Sequence, residues 1–141
     1  MGLIIGPSKS HSSFASYIGN SGLGSAYQCG RVICKNGGIA WIVAPSCSEV
    51  SRTWHLRNDA VTTALACTAG ATGWFVPTIS QLQNPGYTCR TFWDSFSSTP
   101  YWSSTEFNAP YACSVNFNNG HSGHTSKTNV RCVRAFRCVT Y

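Results

Sequence analysis

The sequence predicts an α+β domain, with strand signals at both ends of the chain and helical periodicity between them. Three observations carry this. Gly30-Arg31-Val32-Ile33-Cys34 and Ile39-Ala40-Trp41-Ile42-Val43-Ala44 flank Lys35-Asn36-Gly37-Gly38, in which Asn-Gly supplies the positive φ of a hairpin turn. Apolar residues recur at intervals of three and four among Trp54, Ala60, Val61, Ala64, Leu65 and Ala66. The last third of the chain alternates in character between turn residues. At 141 residues the chain has the length of one domain with one core. Its 43% hydrophobic and 13% aromatic content rules out a disordered or collagen-like chain.

Taken in order, residues 6–25 are more than half Gly and Ser. Such a stretch cannot offset its ordering entropy alone, so residues 1–27 are expected to form an extended arm before a domain over 28–141. After the hairpin, Pro45 and Ser46 end the second strand. Ser51 or Thr53 is expected to cap the helix that begins near Trp54, and Gly70 to stop it. Thr78 can cap a brief helix over Ile79-Ser80-Gln81-Leu82, which Asn84-Pro85-Gly86 breaks. Strands are then expected at Tyr101-Trp102-Ser103-Ser104-Thr105 and at Tyr111-Ala112-Cys113-Ser114-Val115-Asn116-Phe117. Asn118-Asn119-Gly120 reads as a turn, His121-Ser122-Gly123-His124 as a solvated loop, and residues 129–139 as one closing strand that pairs with the opening of the domain.

Composition narrows the functional classes. Charged residues are only 10%, against roughly 25% in an average soluble domain, so Ser, Thr, Asn and Gly must cover much of the surface. That surface suits packing against neighbours or contacting uncharged polar ligands such as sugars. Ten Lys and Arg against four acids give a net charge of +6, but they are scattered, with Arg131, Arg134 and Arg137 the only close set. Without a basic run interleaved with aromatics, no nucleic-acid partner is expected. No apolar stretch approaches membrane-spanning length, so no membrane insertion is expected. The opening Met1-Gly2-Leu3-Ile4-Ile5-Gly6-Pro7 lacks the basic leader and long apolar run of a signal peptide. Gly6 stands where myristoylation of Gly2 needs Ser or Thr. Eight cysteines without an export signal fit a virus-particle component, made in the cytoplasm and released by lysis into an oxidising medium. Reduced cysteines serving as small buried apolar groups fit the same count.

Catalytic and metal constellations are sparse. Calcium needs clustered hard oxygens, and the four acids, Glu49, Asp59, Asp94 and Glu106, are well separated. Glu106-Phe107-Asn108 is the nearest approach to a calcium triplet. His121 and His124 lie close together, but no Cys-x-x-Cys pair completes a zinc set, so no metal and no cofactor is expected. There is no Gly-x-Ser-x-Gly elbow and no carboxylate pair for glycoside hydrolysis. A reactive thiolate needs nearby cations, which only Cys132 and Cys138 have in sequence. Arg134 lies on the same side of a strand as Cys132, but a structural use is expected of it, such as pairing with Glu106.

Together these segments resemble the Lcl C-terminal domain family, within the C-type-lectin-like superfold, over about residues 26–136. The opening hairpin with its Ala44-Pro45 end, Trp54 with Ala64-Leu65-Ala66-Cys67, and Gly73-Trp74-Phe75-Val76-Pro77-Thr78-Ile79-Ser80-Gln81-Leu82 carry the likeness. Tyr101-Trp102-Ser103-Ser104-Thr105-Glu106, Val115-Asn116-Phe117-Asn118-Asn119-Gly120 and Val130-Arg131-Cys132-Val133-Arg134 follow in the family's order. Phe75-Val76 departs from the usual Arg-Leu, the central region is short, and the arm has no counterpart. The resemblance implies a twisted antiparallel sheet with one main and one short helix, and Trp74, Trp102, Val115, Phe117, Cys132 and Val133 mostly in the core. It also implies a disulfide between Cys67 on the helix and Cys132 on the closing strand. Sulfatase-modifying enzymes share the superfold and make a small redox enzyme the enzymatic rival, although their fold is much longer.

The function expected is therefore a non-enzymatic, displayed binding or structural module with no catalytic residues. Its first form is a phage virion protein, a capsid decoration, fibre or tail-tip component, located in the virion, contacting other virion proteins through the arm and host-surface glycans through its loops. A bacterial surface or secreted adhesin domain is the alternative. A homo-oligomer suits such display. Asn108, Tyr111, Asn118, Asn119, His121 and His124 are the candidate ligand-binding residues, because aromatic and amide groups stack on and hydrogen-bond sugars. Turn formation accounts for the Asn-Gly equally well.

Overall fold

The opening hairpin forms where its glycines permit a tight reversal. The computed structural model describes residues 22–141, so the arm lies outside the described residues up to residue 21. β1 (Ala26–Tyr27), β2 (Gly30–Asn36) and β3 (Ile39–Val43) are antiparallel neighbours. Asn36 pairs with Ile39, which leaves Gly37-Gly38 as the turn, at φ of 60° and 82°. Asn36 was expected inside the turn. It serves instead as the last ladder residue, and the two glycines take the positive φ that costs them nothing. The sheet also reaches back before residue 28: the Gly24 amide donates to Val32 O at 2.6 Å, and Tyr27 is buried.

A second sheet contains β4 (Val50–Arg52), β5 (Pro100–Glu106), β6 (Tyr111–Asn116), β7 (Ser122–Ser126) and β8 (Arg131–Val133), in the order β4-β8-β5-β6-β7. β9 (Phe136–Thr140) returns to pair with β3, from Ile39 opposite Thr140 to Val43 opposite Phe136, giving the first sheet the order β1-β2-β3-β9. The closing strand thus joins the opening hairpin, as the sequence predicts. Two details differ. The architecture has two sheets instead of one, with a parallel pairing where Tyr101 of β5 faces Cys132 of β8. The closing segment is also split into β8 and β9, one in each sheet, at Arg134-Ala135. Arg134 sits at the split. Its buried guanidinium donates to Ala44 O at 2.9 Å and to Ser95 O at 2.6 Å, which pins the crossing in place.

β7 occupies the stretch expected as a loop, running antiparallel to β6 from Tyr111 opposite Ser126 to Val115 opposite Ser122. It is an edge strand whose first residues, Ser122-Gly123-His124, are exposed, so no buried face writes an apolar period into the sequence. The main helix, α1 (Asp59–Cys67), starts later than expected. Residues expected at its start are used by β4 and by a 3-10 turn over Trp54–Leu56, where Trp54 Nε1 donates to Ser103 O at 2.9 Å. Ala60 and Ala64 bury the inner face of α1, and Thr63 Oγ1 ties it to Ser48 O at 2.6 Å. Thr68 caps its end through its amide and hydroxyl on Ala64 O, and Gly70 follows at φ 86°. α2 (Ile79–Gln81) begins in the expected way, with a capping box between Thr78 and Gln81. The turns that follow leave helical geometry at Asn84, just before Pro85.

Trp74, Trp102, Val115, Phe117 and Val133 are buried, whereas Cys132 is half-buried against the core. The densest part of the interior is a cluster of rings around Trp93, with Phe96, Tyr101, Phe117 and Phe136 at centroid distances from 5.1 to 6.2 Å. Burying each such ring is worth about 2–3 kcal/mol, and edge-to-face contact adds roughly 1 kcal/mol. Packing is enough to explain these aromatics, and none of them lines the surface described next.

Candidate functional site

The site grows from the turn that joins β5 to β6. The Phe107 and Asn108 amides both donate to Tyr111 O at 3.1 Å, and Tyr111 N donates to Asn108 Oδ1 at 3.0 Å. Asn108 is therefore a turn former whose acceptor is already used. The tight reversal leaves Phe107 and Tyr111 outside the core, 52% and 43% exposed. On β7, opposite Cys113, His124 lays its ring on Phe107 with centroids 3.5 Å apart and planes 13° from parallel. The result is a flat aromatic step at the surface.

The same turn forms one wall of a cleft of about 340 Å³, lined by Thr53, His55, Ala109, Pro110, Ser126, Lys127 and Thr128. Its charged residue is occupied. The Lys127 ammonium, almost fully buried, donates to Glu106 Oε2 and lies 4.6 Å from the centre of the Trp54 ring. Arg57 packs over the same ring at 3.8 Å. The Lys127 hydrogen bond and charge hold the exposed Glu106 carboxyl below its ordinary range. The remaining lining is apolar carbon, the His55 imidazole, the Thr53 hydroxyl and the Ser126 and Thr128 hydroxyls, which bond each other at 2.9 Å, a lining suited to a polar ligand. In Glu106-Phe107-Asn108, the nearest approach to a calcium triplet, Glu106 is engaged by Lys127 and Asn108 by Tyr111, and no group of three metal-ligating side chains gathers among the described residues.

The six expected binding residues do not form one site. Asn108 and Tyr111 share the β5–β6 turn with Phe107, which the expected set left out, and His124 of β7 stacks on Phe107. Asn118, Asn119 and His121 sit on the β6–β7 turn, the length of β6 away, roughly 17 Å at the rise of a strand. There the Asn118 amide donates to Asn116 Oδ1 and the His121 amide to Asn119 Oδ1, both at 2.9 Å, while Gly120 takes φ 81° against the Tyr87 ring. These asparagines build the turn. The signal that would have found Phe107 is a large aromatic next to turn residues, outside the alternation of either strand.

The cysteines are free thiols, and the structure does not bring Cys67 to Cys132. Thr63 docks α1 on Ser48, so Cys67, one turn further along, meets Cys47, with Cys29 also near. Cys132 lies beside Thr99, at 3.5 Å, and near Ser51 and Glu49. Burial pushes its thiol up, and the Glu49 carboxylate pushes it further. Arg134 does not activate it and does not pair with Glu106. Its Nη2 meets Glu49 Oε1 at 2.9 Å and its Nη1 meets Asp94 Oδ1 at 3.2 Å, 5.0 Å from the Trp93 ring centre. Glu49 Oε1 also accepts from the Tyr101 hydroxyl at 2.5 Å, and burial followed by that bond raises the hydroxyl pKa far above its usual value. Glu106, the partner expected from the sequence, lies at the end of β5 beside Lys127, while Glu49 and Asp94 come from the connections that meet at the sheet crossing.

No protein-family model matches the chain, and no curated protein matches it.

Proposed function

We propose that this chain is a non-enzymatic displayed module of the C-type-lectin-like kind, a phage virion component whose outward surface contacts host glycans and neighbouring virion proteins. The observation that carries this is the exposed Phe107–His124 stack, with exposed Tyr111 on the same turn, next to a cleft lined mostly by hydroxyls and apolar carbon. A sugar ring presents an apolar face to such a step and hydroxyls to Thr53, Ser126, Thr128 and His55. The lectin-like assignment rests on the order of the sequence motifs and agrees with an opening hairpin that pairs with the closing strand around an intervening helix. A passive role accords with thiols pushed towards the protonated form at Cys132 and Cys138, the two with arginine neighbours in sequence, the opposite of what a catalytic thiolate requires.

The test is binding of the full chain to an array of neutral and acidic oligosaccharides, repeated with Phe107→Ala. Retention of neutral glycans that falls at least tenfold in Phe107→Ala is expected. Failure of the wild-type chain to retain any glycan, or unchanged retention by the variant, overturns the assignment.

A further inference from the structure

Four of the eight cysteines are brought near one another two by two, each pair by a separate part of the fold. Thr63 Oγ1 donates to Ser48 O at 2.6 Å, docking α1 on the 3-10 turn Ser46–Ser48. Cys67 is four residues beyond Thr63, on the same face of the helix, and Cys47 immediately precedes Ser48, so the docking contact also brings the two thiols near each other. In the second pair, Cys34 of β2 and Cys89 both pack on the aromatic core, and β2 runs against the segments on either side of Cys89, which brings the two thiols close. We propose that Cys47–Cys67 and Cys34–Cys89 close as two intramolecular disulfides when the folded chain meets a small-molecule disulfide such as oxidised glutathione.

Each closure breaks two S–H bonds and forms one S–S bond, and the two electrons and two protons pass to the small disulfide, which leaves as two thiols. Cys47 is exposed, so an outside disulfide reaches it first and loses one thiol in forming a mixed disulfide. The half-buried Cys67 then attacks that bond and releases the second. The first bridge would tie the end of α1 to the connection between β3 and β4, and the second would tie β2 to the connection that leads into β5. The assignment does not depend on what the surface binds. It gives a chain folded in a reducing medium a way to tighten after release into an oxidising one.

The test is equilibration of the native full chain in a glutathione buffer, alkylation of the remaining thiols, digestion and mass spectrometry. Cross-linked peptides joining Cys47 to Cys67 and Cys34 to Cys89 are expected, unchanged in Cys132→Ser, with the thermal midpoint raised by roughly 10 °C over the reduced chain. Alkylation of all eight sulfurs overturns the proposal, as does a bridge from Cys67 to Cys29 or Cys132.

Discussion

Replacing Arg134 with Met tests how the two sheets are held at their crossing. The arginine side chain is 1% exposed and donates to Glu49 Oε1 at 2.9 and 3.1 Å, to Asp94 Oδ1 at 3.2 Å and to the carbonyls of Ala44 and Ser95 at 2.9 and 2.6 Å. Methionine fills much of the volume but donates nothing. Asp94 would keep the Ser46 and Ser95 amides, at 2.8 and 3.0 Å, so its charge stays solvated by the backbone. Glu49 would keep only the Tyr101 hydroxyl among these partners, and it bears most of the penalty. Removing one partner of a buried pair costs about 3–5 kcal/mol, a large share of the roughly 5–15 kcal/mol that holds a domain folded. Urea unfolding at neutral pH should show a loss in that range. Arg52→Ala breaks the Arg52–Asp59 pair, whose side chains are 38% and 46% exposed, and should cost below about 1 kcal/mol. A loss below about 1 kcal/mol for Arg134→Met as well would refute the claim that this arginine fixes the crossing.

Asp94 supplies a pH dependence: burial pushes its carboxyl up, but the Ser46 amide and hydroxyl and the Arg134 charge outweigh burial and leave it below its ordinary value. Its stabilising contribution is therefore full above the ordinary carboxyl range and lost as pH falls through the lower folded value, so acid unfolding of Asp94→Asn should show a shallower slope there than wild type. Gly30→Ala places a Cβ 2.7 Å from Ile42 Cγ2 and 2.8 Å from Val43 O, and denaturant titration should show a loss of about 1–3 kcal/mol. Phe107→Ala, at a 52% exposed position, should change urea stability by less than about 0.5 kcal/mol while removing glycan retention.

What the sequence disclosed follows from where side chains face. β2 and β3 are written in apolar residues because both pack on the core, and Thr78 with Gln81 spells out a local cap that needs no tertiary partner. β7 was illegible because an exposed edge strand of Ser, Gly and His has no buried face to set a period. The start of α1 was misplaced because Trp54 is apolar at helical spacing, yet its indole is held by Ser103, far away in sequence. Partner choice was the least legible property of all. Arg134 selects Glu49 and Asp94, and Cys67 selects Cys47, through a sheet crossing and a helix docking that no local pattern encodes. For the same reason the asparagine-rich segments gave a divided site, since turn-building amides and ligand-facing amides look alike before the strands are placed.

The most direct measurement of the central claim is quantitative mass spectrometry on particles purified from lysed host cells. A displayed virion module should co-purify with the particles at a fixed copy number and be cut by protease added from outside. Recovery of the chain solely in the soluble fraction of the lysate, with none on the particles, would contradict it.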